Sequence, residues 1–352
     1  MFLALKEIKR EKLRYSLIIG MIVLISYLIF ILTSLALGLA RQNTDAINSW
    51  NVNTVVLNQD ANVNLSQSLI TDKQVKDQGL TGKDALIGQI SVVAKEGQHD
   101  KISSTFLGID NNQFIAKNLK LTSGHKMKKS HEVVVDDKFE QSGYKLNDKI
   151  KLNNDDVAYK IVGFTHNAKL NIAPVIYGSL SDWRTLKHAL PQTEASAIVS
   201  KTKKLDVSTP LKAYTTNAFI EKLPGYSAQN MTFSLMIGFL MVISLIVIAI
   251  FLYILTIQKL PNYAVLRAQG IPSRVLVWST IAQSLILVLG GVIIGAILTT
   301  ITAFTMPAAV PMAFDIPALA AVGAGLMVTA LLGGLLPIRS VIKVDPVSVI
   351  GG

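Results

Sequence analysis

Five histidines, at positions 99, 125, 131, 166 and 188, are the side chains best suited by type to hold a metal or move a proton. Their spacing fits no ligand set of the kind that places two imidazoles on one helix face or one hairpin, so they read as surface or core residues. The chain has no cysteine, which excludes disulfides, thiolate-bound zinc, iron–sulfur clusters and thiol catalysis. No Gly-x-Ser-x-Gly elbow is present to expose a serine nucleophile. A phosphate-cradling Gly-x-x-x-x-Gly-Lys-Ser/Thr loop is also missing. The run Gly79-Leu-Thr-Gly82-Lys83 only echoes it, and Asp84 follows the lysine. The chain is therefore not expected to cradle ATP phosphates itself, and a Ser-His-Asp hydrolase is not supported.

The surrounding sequence points to a membrane. Half of the residues are hydrophobic, 16% are charged, and the mean hydropathy is +0.43, against about 25% charged in an ordinary soluble domain. About 20 apolar residues span a bilayer core of about 30 Å, and four uncharged stretches suffice. The first lies between Arg14 and Arg41. The second lies between Lys222 and Lys259, most apolar over 231–257. The third follows Arg274 and breaks near Met306, because Pro307 and Pro311 interrupt helical hydrogen bonding; the fourth ends at Arg339. The first run is too long for the apolar core of a signal peptide and lacks an Ala-x-Ala site, so it reads as a retained helix. No charged residue interrupts these spans, which argues against a proton relay or an ion-gradient transporter.

Basic residues beside the spans predict the topology. Lys6, Lys9, Arg10, Lys12 and Arg14 precede the first helix. Lys259, Arg267 and Arg274 lie between the second and third, and Arg339 and Lys343 follow the fourth. The positive-inside rule places all of these in the cytoplasm. The expected order is a cytoplasmic amphipathic helix within 1–15, membrane helices over 16–40, 231–257, 275–305 and 316–338, a cytoplasmic loop at 258–274, an outer turn at 306–315 and a cytoplasmic tail at 339–352. Residues 41–230 become a large α+β extracytoplasmic domain inserted between the first and second helices. The formal charge of +11 is then mostly a topology signal, and nucleic acid loses its support as a partner.

Within 41–230, β-rich runs recur at Asn53–Asn58, Ile90–Lys95, Ser104–Asp110, Glu132–Asp136, Lys149–Leu152, Tyr159–Phe164, Ala173–Tyr177, Ser196–Lys201 and Leu211–Tyr214, separated by Gly, Asn and Asp clusters. Polar spans Ser66–Asp77 and Ser181–Ala189 read as surface helices. The stretch Glu132–Thr165, EVVVDDKFEQSGYKLNDKIKLNNDDVAYKIVGFT, resembles the outer domains of FtsX/MacB-like ABC transporter permeases. These carry a strand, a helix, Gly-x-x-x-Gly-Asp, a strand and x-V-x-G; Asn147 stands here where that family usually has Gly.

Two further motifs carry the same resemblance. In KLPNYAVLRAQGIPSR, residues 259–274, Pro261 can open a short helix, Gly270 can close it and Pro272 stops its continuation. One or two turns would then lie along the membrane surface with Val265, Leu266 and Arg267 projecting. The match to the family's AVLRAxG is close, and the resemblance implies that Tyr263, Ala264, Val265, Leu266, Arg267, Ala268 and Gly270 form the coupling element that sits on a separate ATPase subunit. Leu336-Pro337-Ile338-Arg339 followed by Val344-Asp345-Pro346 resembles the family's C-terminal ending. Gly291 and Gly295, in Gly-x-x-x-Gly spacing, allow close helix packing.

Within this family the sequence is most similar to haem-exporting permeases of the HrtB type, with DevC-like permeases next. The resemblance implies a non-enzymatic permease of the plasma membrane without an intrinsic cofactor. It would work as a homodimer with two copies of an ATPase that bind ATP and Mg2+, and export haem or a similar amphipathic toxic molecule by mechanical coupling. A haem cargo would need an apolar slot, an iron ligand and a cation for its propionates. Candidates are Met231, Phe233 and Met236 for slot or iron, Arg41 for a propionate, and Tyr27 deeper in the first helix. The alternatives are an FtsX-like mechanotransmitter that moves no cargo and regulates an extracellular partner, and an exporter of antimicrobial peptide, macrolide or lipid.

Overall fold

The computed structural model describes residues 12–97, 99–307 and 310–342. The chain divides into two units, one built from residues up to Gly38 together with those from Asn230 onward, the other from Leu39–Gln229. The expected N-terminal amphipathic helix and the Val344–Pro346 motif lie outside the described residues.

Helix α1 runs without a break over Lys12–Trp50. At about 1.5 Å per residue it is about 58 Å long, nearly twice the hydrocarbon thickness of a bilayer. Its composition changes where a membrane span should end: after Ala40 the sequence turns polar, and Ala46, Ile47 and Trp50 bury themselves in the core of the second unit.

That second unit is a mixed sheet with short helices. In chain order it comprises β1 (Thr54–Asn58), β2 (Ile70–Thr71), α2 (Asp72–Gln78), β3 (Asp84–Lys95), β4 (Ile102–Ile109), α3 (Phe114–Asn118), β5 (Ser123–Gly124), β6 (Glu132–Asp136) and α4 (Asp137–Gln141). It continues with β7 (Lys149–Leu152), β8 (Ala158–Thr165), β9 (Lys169–Leu170), β10 (Ala173–Ser179), α5 (Leu180–Leu186), β11 (Thr193–Ala195), β12 (Ala197–Ser200), β13 (Leu211–Thr215) and α6 (Thr216–Glu221). The main sheet has the order β13-β1-β12-β3-β4-β10-β6-β8-β5, with β7 paired to β3 and β8, and β9 to β10. Most pairs are antiparallel; β4 with β10 and β6 with β8 are parallel. Both faces are covered. One carries Trp50, Leu107, Tyr177 and Phe219, the other Phe106, Phe139, Tyr159 and Trp183.

Two local outcomes differ from expectation. Of Ser66–Asp77, only the part from Asp72 is helical, because Thr71 and Gln74 close a capping box that fixes the helix start there. The span Ser181–Ala189 yields α5, which is no surface helix: Leu180, Asp182, Trp183 and Leu186 are buried. Trp183 lies flat on the sheet where Gly88 and Gly108 leave room, and a methyl group at Gly108 would come within 2.5 Å of Trp183 Cβ. In the 132–165 run, Asn147 has φ +74° and donates its N–H to the Ile161 carbonyl at 2.8 Å. Asparagine is the side chain that best tolerates the left-handed region after glycine, which explains the substitution.

The helical unit adds α7 (Tyr226–Ala268), α8 (Ser273–Thr305) and α9 (Ile316–Ile342) to the first part of α1. All four helices are long and apolar enough to cross a membrane. Inward-facing Tyr15, Ile18, Ile22, Ile248, Leu252, Leu255, Leu287, Val288 and Ala330 form its core. Leu17, Leu24, Phe239, Ile246, Ile297 and Phe304 point outward and stay exposed, an arrangement suited to lipid rather than water. Gly291 and Gly295 face α1. A methyl group at either would overlap Ile22 or Ser26, and Ser26 Oγ donates to the Gly291 carbonyl at 3.2 Å. The segment after α8 folds back on α1, with the Ala313 N–H donating to the Ser34 carbonyl at 3.0 Å. Asp315 Oδ1 then accepts from the Ala318 N–H and starts α9.

Candidate functional site

The segment 263–270 is built differently from a surface re-entry helix. Helix α7 continues through Pro261 to Ala268. The lost Pro N–H costs one helical hydrogen bond, which packing on neighbouring helices offsets. Tyr263 is 1% exposed and joins Leu276 of α8 and Val341 of α9, with Leu266, Ile271 and Val277 packed around them. The Tyr263 hydroxyl meets Thr280 Oγ1 at 3.4 Å, and Arg267 Nη1 donates to the Ile342 carbonyl at 3.4 Å. Leu266 and Arg267 therefore turn partly inward instead of projecting. The residues that remain open are Val265, Ala268, Gln269 and Gly270.

The end of α7 is capped as the motif requires. Gly270 has φ +89°, and the Ile271 N–H reaches the Leu266 carbonyl at 3.1 Å, the six-to-one bond of a Schellman cap. An apolar groove of about 410 Å3 runs alongside, lined by Leu266, Ile271, Arg274, Val275, Leu276 and Trp278. Trp278 is 68% exposed in the first turns of α8, a placement typical of the interfacial aromatic belt.

Two residues before Pro261 lies a residue that the charge pattern had placed in a loop. Lys259 is 5% exposed inside α7. Its ammonium donates to Gln283 Oε1 at 3.0 Å and sits 5.4 Å from the Tyr15 ring centroid, while Gln283 Nε2 donates to the Tyr15 hydroxyl. Thr256, Ser279, Thr280 and Ser284 are buried as well. Burying an ammonium is unfavourable unless its donors are satisfied, and here an amide oxygen and an aromatic face meet it. The sequence signal was available: Gln283 and Tyr15 are polar tips in otherwise apolar runs.

The cargo candidates lie on different elements. Met231, Phe233 and Met236 lie in the early turns of α7, with Met231 66% and Met236 41% exposed and Phe233 half-buried. Tyr27 is half-buried in α1 and its hydroxyl is engaged by Thr302 Oγ1 at 2.8 Å. Arg41 is an exposed residue of the sheet unit.

The sheet unit has its own cavity of about 570 Å3, whose walls include Trp50, Ile115, Leu121, His166, Ala168 and Tyr177. Burial pushes the Tyr177 hydroxyl up to about 12, only partly offset by its neighbours Ser49 and Trp50. Beside the cavity, burial and the adjacent Asp137 push the Asp136 carboxyl up to about 7. His166 Nδ1 meets Asp137 Oδ2 at 2.7 Å. None of the cargo or coupling candidates read from the sequence lines this cavity.

Four helices long and apolar enough to cross a membrane, with a mixed sheet unit inserted between the first and second, define a multi-span membrane protein. Residues 234–346 match the FtsX-like permease C-terminal family, so this part of the chain is an FtsX-like permease domain. Over its whole length the chain is 26% identical, across 360 aligned residues, to the putative hemin transport system permease protein HrtB of Staphylococcus epidermidis, covering 100% of this chain and 99% of the relative. Against the protein of the same name from Staphylococcus haemolyticus the identity is 27% over 359 residues, with 100% and 99% covered. Among solved structures, the extracellular domain of the noncanonic ABC-type transporter YknZ from Gram-positive bacteria is 12% identical, covering 46% of this chain and 98% of its own, with a TM-score of 0.35. The periplasmic region of MacB from Actinobacillus actinomycetemcomitans is 14% identical, covering 49% and 92%, also with a TM-score of 0.35.

Proposed function

We propose that the chain is the permease subunit of an ABC-type efflux pump that exports haem, or a similar amphipathic molecule, from the plasma membrane. The observation that carries this reading is the similarity to hemin transport permeases along the entire chain rather than over one module. The termini and the 258–274 segment face the cytoplasm in this reading, and the sheet unit lies outside, as the distribution of lysine and arginine requires. A separate ATPase, in two copies on a permease homodimer, binds ATP and Mg2+ and drives the cycle.

Its motion enters at the open face of 263–270 and the adjacent groove. Helices α1 and α7 are the levers. Each is far longer than the hydrocarbon core of a bilayer is thick. Cargo enters from the outer leaflet. Met231, Met236 and Phe233 supply thioethers and an apolar wall, and Arg41 supplies a cation for a carboxylate. Tyr27 takes part only after releasing Thr302.

Hemin titrated into the purified full-length protein should give a saturable shift of the Soret band. Replacing Met231 and Met236 together should weaken or abolish it. Absence of a shift, or a shift indifferent to the replacement of Met231, Met236 and Tyr27, refutes the haem assignment.

A further inference from the structure

The sheet unit brings together three side chains that the sequence keeps apart. Glu96 and His99 come from the turn joining β3 to β4, and Asp148 from the connection between α4 and β7. One ligand atom from each lies within 4.8 Å of the others. The sheet itself causes this meeting. Strand β7 pairs antiparallel with the end of β3 through Ala94 with Leu152 and Lys95 with Lys151, which sets the residues before β7 beside the β3–β4 turn. The spacing of the five histidines gave no hint of it, because the partners are carboxylates on a neighbouring strand connection.

Each donor is held in place. The His99 N–H donates to the Glu96 carbonyl at 2.9 Å, closing the turn that carries both. The His99 ring stacks on Tyr144 with centroids 4.7 Å apart and lies over Gly143, where a methyl group would touch its Cε1 at 3.4 Å. The Tyr144 hydroxyl is tied to the Asp100 carbonyl at 3.1 Å. Asp148 Oδ2 accepts from the Lys145 N–H at 2.6 Å, and the Asp148 carbonyl accepts from the Ile161 N–H at 2.9 Å. That hydrogen bond commits one carboxylate oxygen and orients the other.

A second observation points to a missing partner. Glu96 Oε2 is buried and has no hydrogen-bond partner. An unpartnered buried carboxylate oxygen is unfavourable, and a second carboxylate a few ångströms away makes it more so. Among the described residues neither Glu96 nor Asp148 forms an ion pair with lysine or arginine.

We propose that Glu96, His99 and Asp148 bind a late first-row divalent cation, Zn2+ foremost, bridging the β3–β4 turn to the α4–β7 connection. One imidazole with two carboxylates is a donor set that Zn2+ accepts, with a fourth position left for water. Ca2+, which requires six to eight oxygens, is poorly served by it. The site holds a structural cation that pins two loops, and it is independent of any cargo.

The test uses the full-length, chelator-stripped protein in detergent, without hemin. Zn2+ should raise the unfolding temperature saturably, Co2+ should develop the visible d–d bands of a site with nitrogen and oxygen ligands, and Ca2+ should do neither. Glu96→Gln and His99→Gln should each weaken Zn2+ at least about tenfold, and Glu96→Gln should leave the metal-free unfolding temperature unchanged or higher. A Zn2+ response that survives in the double variant overturns the proposal. So does no saturable response, or a Ca2+ response equal to that of Zn2+.

Discussion

Gly290, Gly291 and Gly295 allow the packing of α8 on α1 to be tested with its own internal control. A methyl group at Gly290 meets nothing within 4 Å. At Gly291 the same group overlaps Ile22 Cγ2 and lies 2.8 Å from Ile22 Cβ, where carbon atoms prefer about 3.5–4.0 Å. Rotating the Ile22 side chain moves Cγ2 but not Cβ, so relief requires the helices to part by roughly 1 Å. At Gly295 the overlap is with Ser26 Oγ, which can rotate, although the Tyr27 nitrogen at 3.1 Å limits the relief.

Glycine to alanine in a helix gains about 1 kcal/mol of intrinsic propensity, and this gain is common to all three positions. The difference between variants therefore isolates the clash, at about 1–3 kcal/mol for an overpacked contact. Gly290→Ala should match or exceed the parent protein in stability, Gly295→Ala should fall below it, and Gly291→Ala should be lowest. Reversible unfolding of the purified protein in detergent micelles measures the order. Adding Ile22→Ala to Gly291→Ala should recover part of the loss, since it removes Cγ2 and leaves Cβ, with a coupling of about 0.5–3 kcal/mol. Three alanine variants of equal stability, or no coupling between positions 22 and 291, would refute the contact.

The pH dependence of the sheet unit has a defined sign. Asp136 is fully buried, accepts from the Lys138 N–H at 3.0 Å and the Ala168 N–H at 3.2 Å, and titrates near 7 against 3.8 for an ordinary aspartate. Its raised value means the folded state favours the neutral carboxyl. The contribution to stability is complete below about 3.8 and is lost as pH rises through about 7, by at most about 1.4 kcal/mol per unit. The unfolding temperature should fall between pH 5 and 8, and Asp136→Asn should flatten that slope; an unchanged slope removes the assignment. At the proposed coupling segment, Val265→Asp should abolish stimulation of the proposed ATPase partner without lowering the unfolding temperature, because Val265 is 47% exposed. Leu266→Asp should instead destabilise the protein, because Leu266 packs on Tyr263 and Leu276. Full ATPase stimulation with Val265→Asp would remove 263–270 from the coupling role.

The four apolar helices were legible because their signal is local: about twenty uncharged residues suffice, whatever they pack against. Short strands such as Glu132–Asp136 and Lys149–Leu152 were equally plain, bounded by turn residues on both sides. Strand β3 was not. Its first half, Asp84–Gln89, is interrupted by Gly88, which reads as a breaker and serves as the seat of Trp183, a residue almost a hundred positions later. The same limit hid the buried face of α5. Expecting a surface helix from a polar span fails where one face turns inward on a partner that only the tertiary structure supplies. Glu96, His99 and Asp148 are the extreme case, since their proximity depends on β7 returning to pair with β3.

Lys259 shows where charge-free runs mislead as boundaries. A lysine ends such a run in the sequence, yet a lysine whose stem lies along apolar neighbours and whose ammonium finds Gln283 and the Tyr15 ring can stand inside a helix. Its place then has a consequence for force. Tyr15 lies near the start of α1, Lys259 near the end of α7, and Gln283 in the third turn of α8, so three helices meet in one polar layer. Two turns further along α7, Tyr263 and Leu266 bind the same α8 and the end of α9. A hydrogen bond among buried groups resists sliding more than an apolar contact does, because displacement leaves donors unsatisfied. Under the proposed function, motion applied at Val265 and Gln269 would then reach α1 as a displacement of the joined helix ends. In the same reading, the polar layer would join the short segment that receives the push to the start of α1.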